Sequence, residues 1–220
     1  MNPVRGTTAP RPDDLSRLIA EAGLLLPPGA EEKLSAHAAE MVRWNRAIRL
    51  TAITDPEQIA VKHILDSLLL LHFLPFPGRI LDFGSGAGYP GIPLAIALPE
   101  TELVLLEASG KKCAFLLEVA RILSLGNVRV LNERLGKGPV PELGRFEQIV
   151  TRATVPPAEA FSLLLPLLRP GGRLFLMTGR GTGEKGGEIP FPGDRFSERR
   201  VSFSLPRGMG TRQIREIRVP

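Results

Sequence analysis

The 220-residue chain predicts an α/β fold: a seven-stranded, mostly parallel sheet with an antiparallel C-terminal strand, preceded by an N-terminal helical extension. Three observations point there. From Arg79 onward, short strand-like runs alternate with helix-length stretches, as in parallel sheets joined by right-handed crossovers. Before Arg79 the apolar residues recur with helical spacing only. The last 25 residues or so hold two alternating apolar segments that fit an antiparallel pair closing the sheet. The expected division is 1–78 for the helical extension and 79–220 for the core, the two packed as one compact unit.

The elements follow in order. Asp13 or Asp14 caps a short helix carrying Leu15, Leu18, Ile19 and Ala22, which Gly23 stops. After Pro27-Pro28-Gly29 a longer helix places Leu34, His37, Met41, Val42 and Trp44 along one stripe. Asp55-Pro56 reads as an N-cap followed by proline at the first helical position, where its missing N–H costs nothing. That third helix carries Ile59, Ala60, His63, Ile64, Ser67, Leu68 and Leu71, and ends at Pro75 and Pro77. Strands are predicted over 79–83, 102–107, 128–131, 146–151, 173–178, 196–205 and 212–219. Between the second and third strands, Ser109 caps a helix whose buried face is Phe115, Leu116, Val119, Ala120 and Leu123, with Gly126 as its left-handed exit. The glycine-rich stretch 179–187 reads as a loop.

Composition narrows the function classes. With 43% hydrophobic and 23% charged residues the chain is of the soluble globular kind. No apolar run reaches the roughly 20 residues that span a bilayer, and the polar N-terminus resembles no signal peptide. A single cysteine, Cys113, excludes a disulfide framework and a cysteine metal cluster within one chain. His37, His63 and His72 are scattered, in no metal-ligand pattern. A cytoplasmic, monomeric, metal-free protein is expected. The net charge is +5, and from Arg180 onward nine Lys/Arg stand against five Asp/Glu. A second basic group is Arg43, Arg46 and Arg49. Arginine forks suit phosphates, so these groups form either a split polyanion-binding surface or an ordinary solvated basic face.

The chemistry concentrates in Asp82-Phe-Gly-Ser-Gly-Ala-Gly-Tyr-Pro-Gly91, directly after the first strand and leading into a helix. Gly84, Gly86 and Gly88 let the backbone turn sharply and approach a ligand. The carboxyl end of a central strand is where open α/β sheets bind cofactors. Glu107, at the end of the second strand, is placed to accept hydrogen bonds from both hydroxyls of a ribose. Gly86, Gly88 and Gly91 also satisfy the dinucleotide fingerprint G-x-G-x-x-G. Three features argue against it. The first glycine after the strand is Gly84, so G-x-G-x-G fits the register better. Pro90 and Pro93 stand where a dinucleotide-binding helix presents N–H groups to a pyrophosphate. Asp82 suits a cofactor with a cationic amino-acid end. The loop therefore points to S-adenosylmethionine and a class I (Rossmann-like) methyltransferase, as does the Leu168-Arg-Pro-Gly-Gly-Arg-Leu174 turn. An NAD-dependent dehydrogenase is the alternative the glycines alone leave open.

No Asn/Asp-Pro-Pro-aromatic tetrapeptide is present to grip an exocyclic amine; Thr154-Val-Pro-Pro157 lacks both ends. Cys113 lies in a predicted helix, away from any proline, and reads as a small buried residue. The nucleophile must bring its own lone pair. Trp44-Asn-Arg-Ala-Ile-Arg-Leu-Thr51, Val61-Lys-His-Ile-Leu-Asp-Ser67 and the 82–93 loop resemble the RsmG (GidB) family of 16S rRNA guanine-N7 methyltransferases. Ser109-Gly-Lys-Lys112, Thr151-Arg-Ala153 and Gly210-Thr-Arg212 extend the likeness over roughly residues 30–219.

The resemblance implies S-adenosylmethionine as cofactor and guanine 527 of 16S rRNA, in the 530-loop region, as substrate, presented as rRNA or as the 30S subunit. To the cofactor contacts Asp82, Gly86 and Glu107 read from the loop and strand end, it adds Gly84, Tyr89, Leu135, Gly136 and Arg152, with Arg152 also beside the transferred methyl as the catalytic residue. Arg46, Arg134 and Arg212 are the expected RNA contacts. Arg134, Arg152 and Arg212 each have a plainer alternative, pairing with a carboxylate. The chain departs from the family at Gly136 (usually Glu), Arg49 (usually Asn) and Thr178 (usually Lys). Those departures keep a second reading in view, an RNA-binding assembly factor without catalysis. His63 and Asp66 match the family with no role assigned; His63 at this helical spacing could be a core histidine.

Overall fold

The computed structural model describes residues 9–74, 78–136, 143–152, 154–179, 189 and 196–220. The expected helix end at Pro75 and Pro77, the loop over 180–187 and Ala153 lie outside them.

Seven strands form one sheet: β1 (Ile80–Phe83), β2 (Leu103–Leu106), β3 (Val128–Leu131), β4 (Phe146–Arg152), β5 (Leu168–Gly179), β6 (Ser197–Ser204) and β7 (Thr211–Arg218). Their order is β3-β2-β1-β4-β5-β7-β6. The first five run parallel, and β7 is antiparallel to both of its neighbours, as the sequence predicts. The order reverses beside β1, between β2 and β4, so the loop after β1 opens into the crevice where such sheets bind ligands.

Period-two alternation separates two cores. Ile80, Leu103, Leu105, Val150 and Phe175 face one layer, while Leu81, Val104, Leu106, Ile149 and Leu174 face the other. β1 and β2 are buried on both faces and therefore read as continuous apolar runs. A register shift between Phe146 and Gln148 lets Phe146 and Ile149 share a face three residues apart.

The first layer takes in the extension. α1 (Pro12–Glu21) packs on α2 (Ala30–Trp44), which in turn meets α5 (Gly91–Ala97) and α6 (Gly110–Ile122), with Leu15, Leu18, Leu34 and Met41 buried in this layer. α7 (Pro157–Leu164) covers the opposite face through Phe161 and Leu164. Each such side chain contributes about 1.5–3 kcal/mol by leaving water, so the helices before β1 belong to the same core as the sheet.

Several details differ from expectation. α1 starts at Pro12, with Arg11 as N-cap; Asp13 and Asp14 lie in its first turn. α6 leaves by Ser124 at φ 52°, not by Gly126. Its last turn must send both Leu123 and Leu125 into the core, and the Leu125 N–H closes back onto Ala120 O at 2.9 Å. Ser109 is the N-cap of α6 by position, yet its side chain makes no cap bond. β5 begins at Leu168, so the predicted turn around Pro170 lies inside the strand as an irregularity.

The third helix is not one α-helix. α3 (Pro56–Ile59) starts on the Asp55 cap, whose carboxylate accepts the Gln58 N–H at 2.9 Å. It then widens into a π-helical stretch, Ala60–Leu65, before α4 (Asp66–Leu68) and a 3-10 turn, Leu69–His72. The Asp66 N–H bonds to Val61 O and His63 O, so the usual α-helical donor to Lys62 O is turned away.

Candidate active site

A cavity of about 620 Å³ opens at the ends of β1, β2 and β4, within the range usual for small-molecule sites. It gathers residues that the sequence singles out separately: Gly84, Gly86, Tyr89, Glu107, Arg134, Leu135 and Arg152 all line it.

The loop is shaped by close approaches. Gly84 stands at φ 77°, and a Cβ there would lie 2.4 Å from the Thr154 hydroxyl. Its N–H is fixed by Leu106 O at 2.8 Å. Gly86, at φ 56°, donates its N–H to Glu107 Oε2 at 2.9 Å. The other carboxylate oxygen, Oε1, accepts the Ser109 N–H at 2.8 Å. Glu107 is thus held by one backbone donor on each oxygen. A carboxylate has about four acceptor sites, so each oxygen keeps one for a ligand hydroxyl. The thiol of Cys113, buried in α6, donates to Glu107 O at 3.2 Å and is raised in pKa by burial. It secures the end of β2.

Asp82 is placed differently. It is fully buried, points beneath the loop and does not line the cavity. Its Oδ2 accepts the Gly91 N–H at 3.0 Å, tying β1 to the start of α5, while Oδ1 has no hydrogen-bond partner. Burial pushes this carboxyl up to about 7.

Tyr89 is sandwiched between two histidines, with ring centroids 4.5 Å from His37 and 4.7 Å from His63. His37 hydrogen-bonds Ala87 O through Nε2 at 2.9 Å and so supports the loop from α2. Arg152, at the end of β4, lies over the outer part of this stack, its guanidinium 5.6 Å from the Tyr89 centroid. Its Nη1 donates to Lys62 O at 3.0 Å, the carbonyl whose α-helical donor the π stretch turns away. Its Nη2 donates to His63 Nδ1 at 3.3 Å.

Behind Arg152 lies Asp66, fully buried. One oxygen, Oδ2, faces Arg152 Nη1 at 3.5 Å and accepts from Arg212 Nε at 3.0 Å. Burial raises this carboxyl, and the two guanidiniums, Arg212 before Arg152, pull against it. Both arginines therefore pair with a carboxylate, the plainer alternative open from the sequence, and Arg152 still lines the cavity. Arg212 does not.

The remaining residues scatter. Gly136, at φ 86°, follows Leu135 without lining the cavity. Arg46, in the turn after α2, and Arg134, on the rim, are exposed. Much of the basic tail is paired with carboxylates: Arg200 and Arg215 with Glu198, Arg218 with Glu216, and Arg207 with Glu57 of α3. Thr51, His63, Asp66 and Thr154 belong to the site or its support without a role in the sequence reading. The first three lie in the very segments that resemble a known family. Among the described residues no cluster of three His, Cys, Asp or Glu could hold a metal, and no helix is long and apolar enough to cross a membrane.

Comparison with known proteins gives a consistent result. The model of the GidB family, described as rRNA small subunit methyltransferase G, matches residues 30–185. A ribosomal RNA small subunit methyltransferase G of Geobacter sp. (strain M21) is 39% identical over 78% of this chain and 79% of its own length. One from Anaeromyxobacter sp. (strain Fw109-5) is 43% identical over 76% and 77%. One from Stenotrophomonas maltophilia (strain K279a) is 37% identical over 94% and 87%. Among solved structures, an O-methyltransferase from Bacillus cereus aligns with a TM-score of 0.59 at 20% identity, covering 93% of this chain and 97% of that one. At that identity the likeness speaks for the fold alone.

Proposed function

This chain belongs to the GidB family, rRNA small subunit methyltransferase G, and from that premise we propose that it methylates 16S rRNA with S-adenosylmethionine, at N7 of guanine 527. The observation that best supports this reading is the joining of two parts in one cavity. A glycine loop with Glu107 at the neighbouring strand end forms one wall, and Arg152, Tyr89, His63 and Thr51 form another.

The residues present fit the cofactor. Glu107 keeps free acceptor capacity on both oxygens for the ribose, and Gly86 brings backbone to the wall with no Cβ in the way. Leu135 gives an apolar flank for the adenine. Asp82 acts from beneath, by holding the loop to α5. When bound, S-adenosylmethionine supplies an electrophilic sulfonium methyl, and guanine N7 offers a lone pair with no proton to remove. A general base is unnecessary.

The protein's own task is alignment of nucleophile and methyl carbon, the effect for which enzymes gain most by positioning. Arg152 is suited to it, being anchored by Lys62 O, His63 and Asp66 while one face covers Tyr89. Its positive charge does not favour the cation that forms on the base, so it serves as a positioner. Arg134, on the cavity rim, and Arg46, exposed after α2, are proposed phosphate contacts, with Arg212 contributing through its remaining N–H groups. The guanine must be splayed from its loop to reach the cavity. The protein would act in the cytoplasm, as a monomer.

The test is nucleoside mass spectrometry of 16S rRNA from cells with and without the gene, complemented by wild type or Arg152→Ala. N7-methylguanosine at the target should vanish without the gene, return with wild type, and stay at least about 100-fold reduced with the variant. Cofactor binding without any transfer would instead favour a non-catalytic assembly factor.

A further inference from the structure

Thr51 sits on the cavity wall with its backbone independently fixed. Asn45 Oδ1 accepts the N–H groups of Leu50 and Thr51 at 2.8 and 3.1 Å, and Asn45 Nδ2 donates to Thr51 O at 2.9 Å. The side chain is equally constrained. Thr51 Oγ1 accepts the Ile53 N–H at 3.0 Å and lies 2.9 Å from His63 Nε2.

The direction of that last bond follows from what surrounds the ring. His63 Nδ1 faces Arg152 Nη2, which has donors only, and the neighbouring Lys62 O is already engaged by Arg152 Nη1 at 3.0 Å, so we assign the lone pair to Nδ1. Burial, then the Arg152 charge, pushes His63 down to about 3, so the ring is neutral and its one proton is on Nε2. His63 therefore donates to Thr51. Both lone pairs of the Thr51 oxygen are filled, and its own O–H finds no acceptor among the described residues. A hydroxyl normally both gives and accepts; this one can only give.

We propose that the Thr51 hydroxyl, polarised as a donor through the chain Arg152–His63–Thr51, reads O6 of the target base and so selects guanine over adenine. The inference rests on the guanine-N7 reading above. Next to N7 on the same purine edge, guanine presents the O6 acceptor and adenine the N6 amino donor. A donor-only group pairs with the first and opposes the second, and it leaves the N7 lone pair free for the methyl. His63 is the positioning residue that sets this polarity.

The experiment uses the full chain and 30S subunits reconstituted with ligated 16S rRNA, carrying guanine or 2-aminopurine at the target. The analogue keeps N7 and lacks O6. Wild type should lose roughly 10- to 100-fold in kcat/KM on 2-aminopurine. Thr51→Val should lose a similar factor on guanine and little more on 2-aminopurine, with cofactor Kd within about twofold of wild type; Thr51→Ser should recover most of the rate on guanine. Undiminished wild-type rate on 2-aminopurine overturns the proposal without any variant. So does Thr51→Val if it retains full rate on guanine, loses equally on both bases, or loses only cofactor affinity. Wild type that makes no N7-methylguanosine at all would instead remove the functional reading on which the proposal stands.

Discussion

Asp66 shows how much one side chain can organise. Its single oxygen Oδ2 is shared between Arg152, from β4, and Arg212, from β7, with the carboxylate itself fully buried on a third element. Truncation leaves two half-buried guanidiniums without their counter-ion, and breaking a buried pair in this way costs about 3–5 kcal/mol. Asp66→Ala should lose that much in urea unfolding. Asp66→Asn keeps the shape and loses the charge, so it should fold better yet still turn over at least about tenfold more slowly, as Arg152 loses its anchor. Single-turnover kinetics at saturating cofactor would read the difference; unchanged turnover in Asp66→Asn would separate Asp66 from the site. The sequence displays all three residues but not their meeting. Arg212 and Asp66 are 146 positions apart, and no spacing rule joins a helix residue to the ends of two non-neighbouring strands. Glu107 was easier to read, because a strand end next to a glycine loop has only one place to go.

The elements were legible in proportion to how regular they are. The strands and their mostly parallel arrangement follow from alternation and from the helices between them, so β1 to β7 stand close to where they are expected, whereas their order comes from the structure. The π stretch Ala60–Leu65 was not legible, because its stripe of Ile59, His63 and Ile64 is equally good for an α-helix. Its extra width is decided by what it meets: Lys62 O is offered to a guanidinium arriving from β4. The exit of α6 was misplaced for a similar reason. Gly126 is the better residue for a left-handed turn, yet burial of Leu123 and Leu125 puts that turn at Ser124, φ 52°. A left-handed non-glycine residue costs roughly 1–2 kcal/mol. Ser124→Gly removes that strain and returns roughly 0.5–1 kcal/mol through greater freedom of the unfolded chain. A net gain of about 0.5 kcal/mol is expected, seen as a raised urea midpoint with unchanged slope; a lower midpoint would contradict the assigned conformation.

For the whole molecule, the extension and the sheet share one buried layer, and that layer encloses titratable groups whose protonation must follow folding. Burial holds His37 down to about 4; burial and then Arg152 hold His63 down to about 3; burial lifts Asp82 to about 7. Between pH 6.5 and 5 the unfolded chain fills both histidines, while the folded chain holds a proton on Asp82 that is largely in place already at pH 6.5. The excess of protons on the unfolded state therefore grows from about a quarter at pH 6.5 to nearly one at pH 5, and stability from these three groups falls as pH falls, with a slope that steepens from roughly 0.3 to roughly 1.2 kcal/mol per unit. The two histidines favour the folded state above their unfolded value and lose that contribution on acidification. Asp82 works in the opposite direction, since its folded form takes up the proton first. Each part can be separated. Asp82→Asn removes the opposing proton and should steepen the slope towards two protons, while His63→Gln should leave it nearly level. Urea unfolding at pH 6.5, 6 and 5 with the three proteins measures these slopes directly. A wild-type profile that rises on acidification, or a His63→Gln profile as steep as wild type, would mean that His63 is not held neutral, and the donor-only state of Thr51 would fall with it.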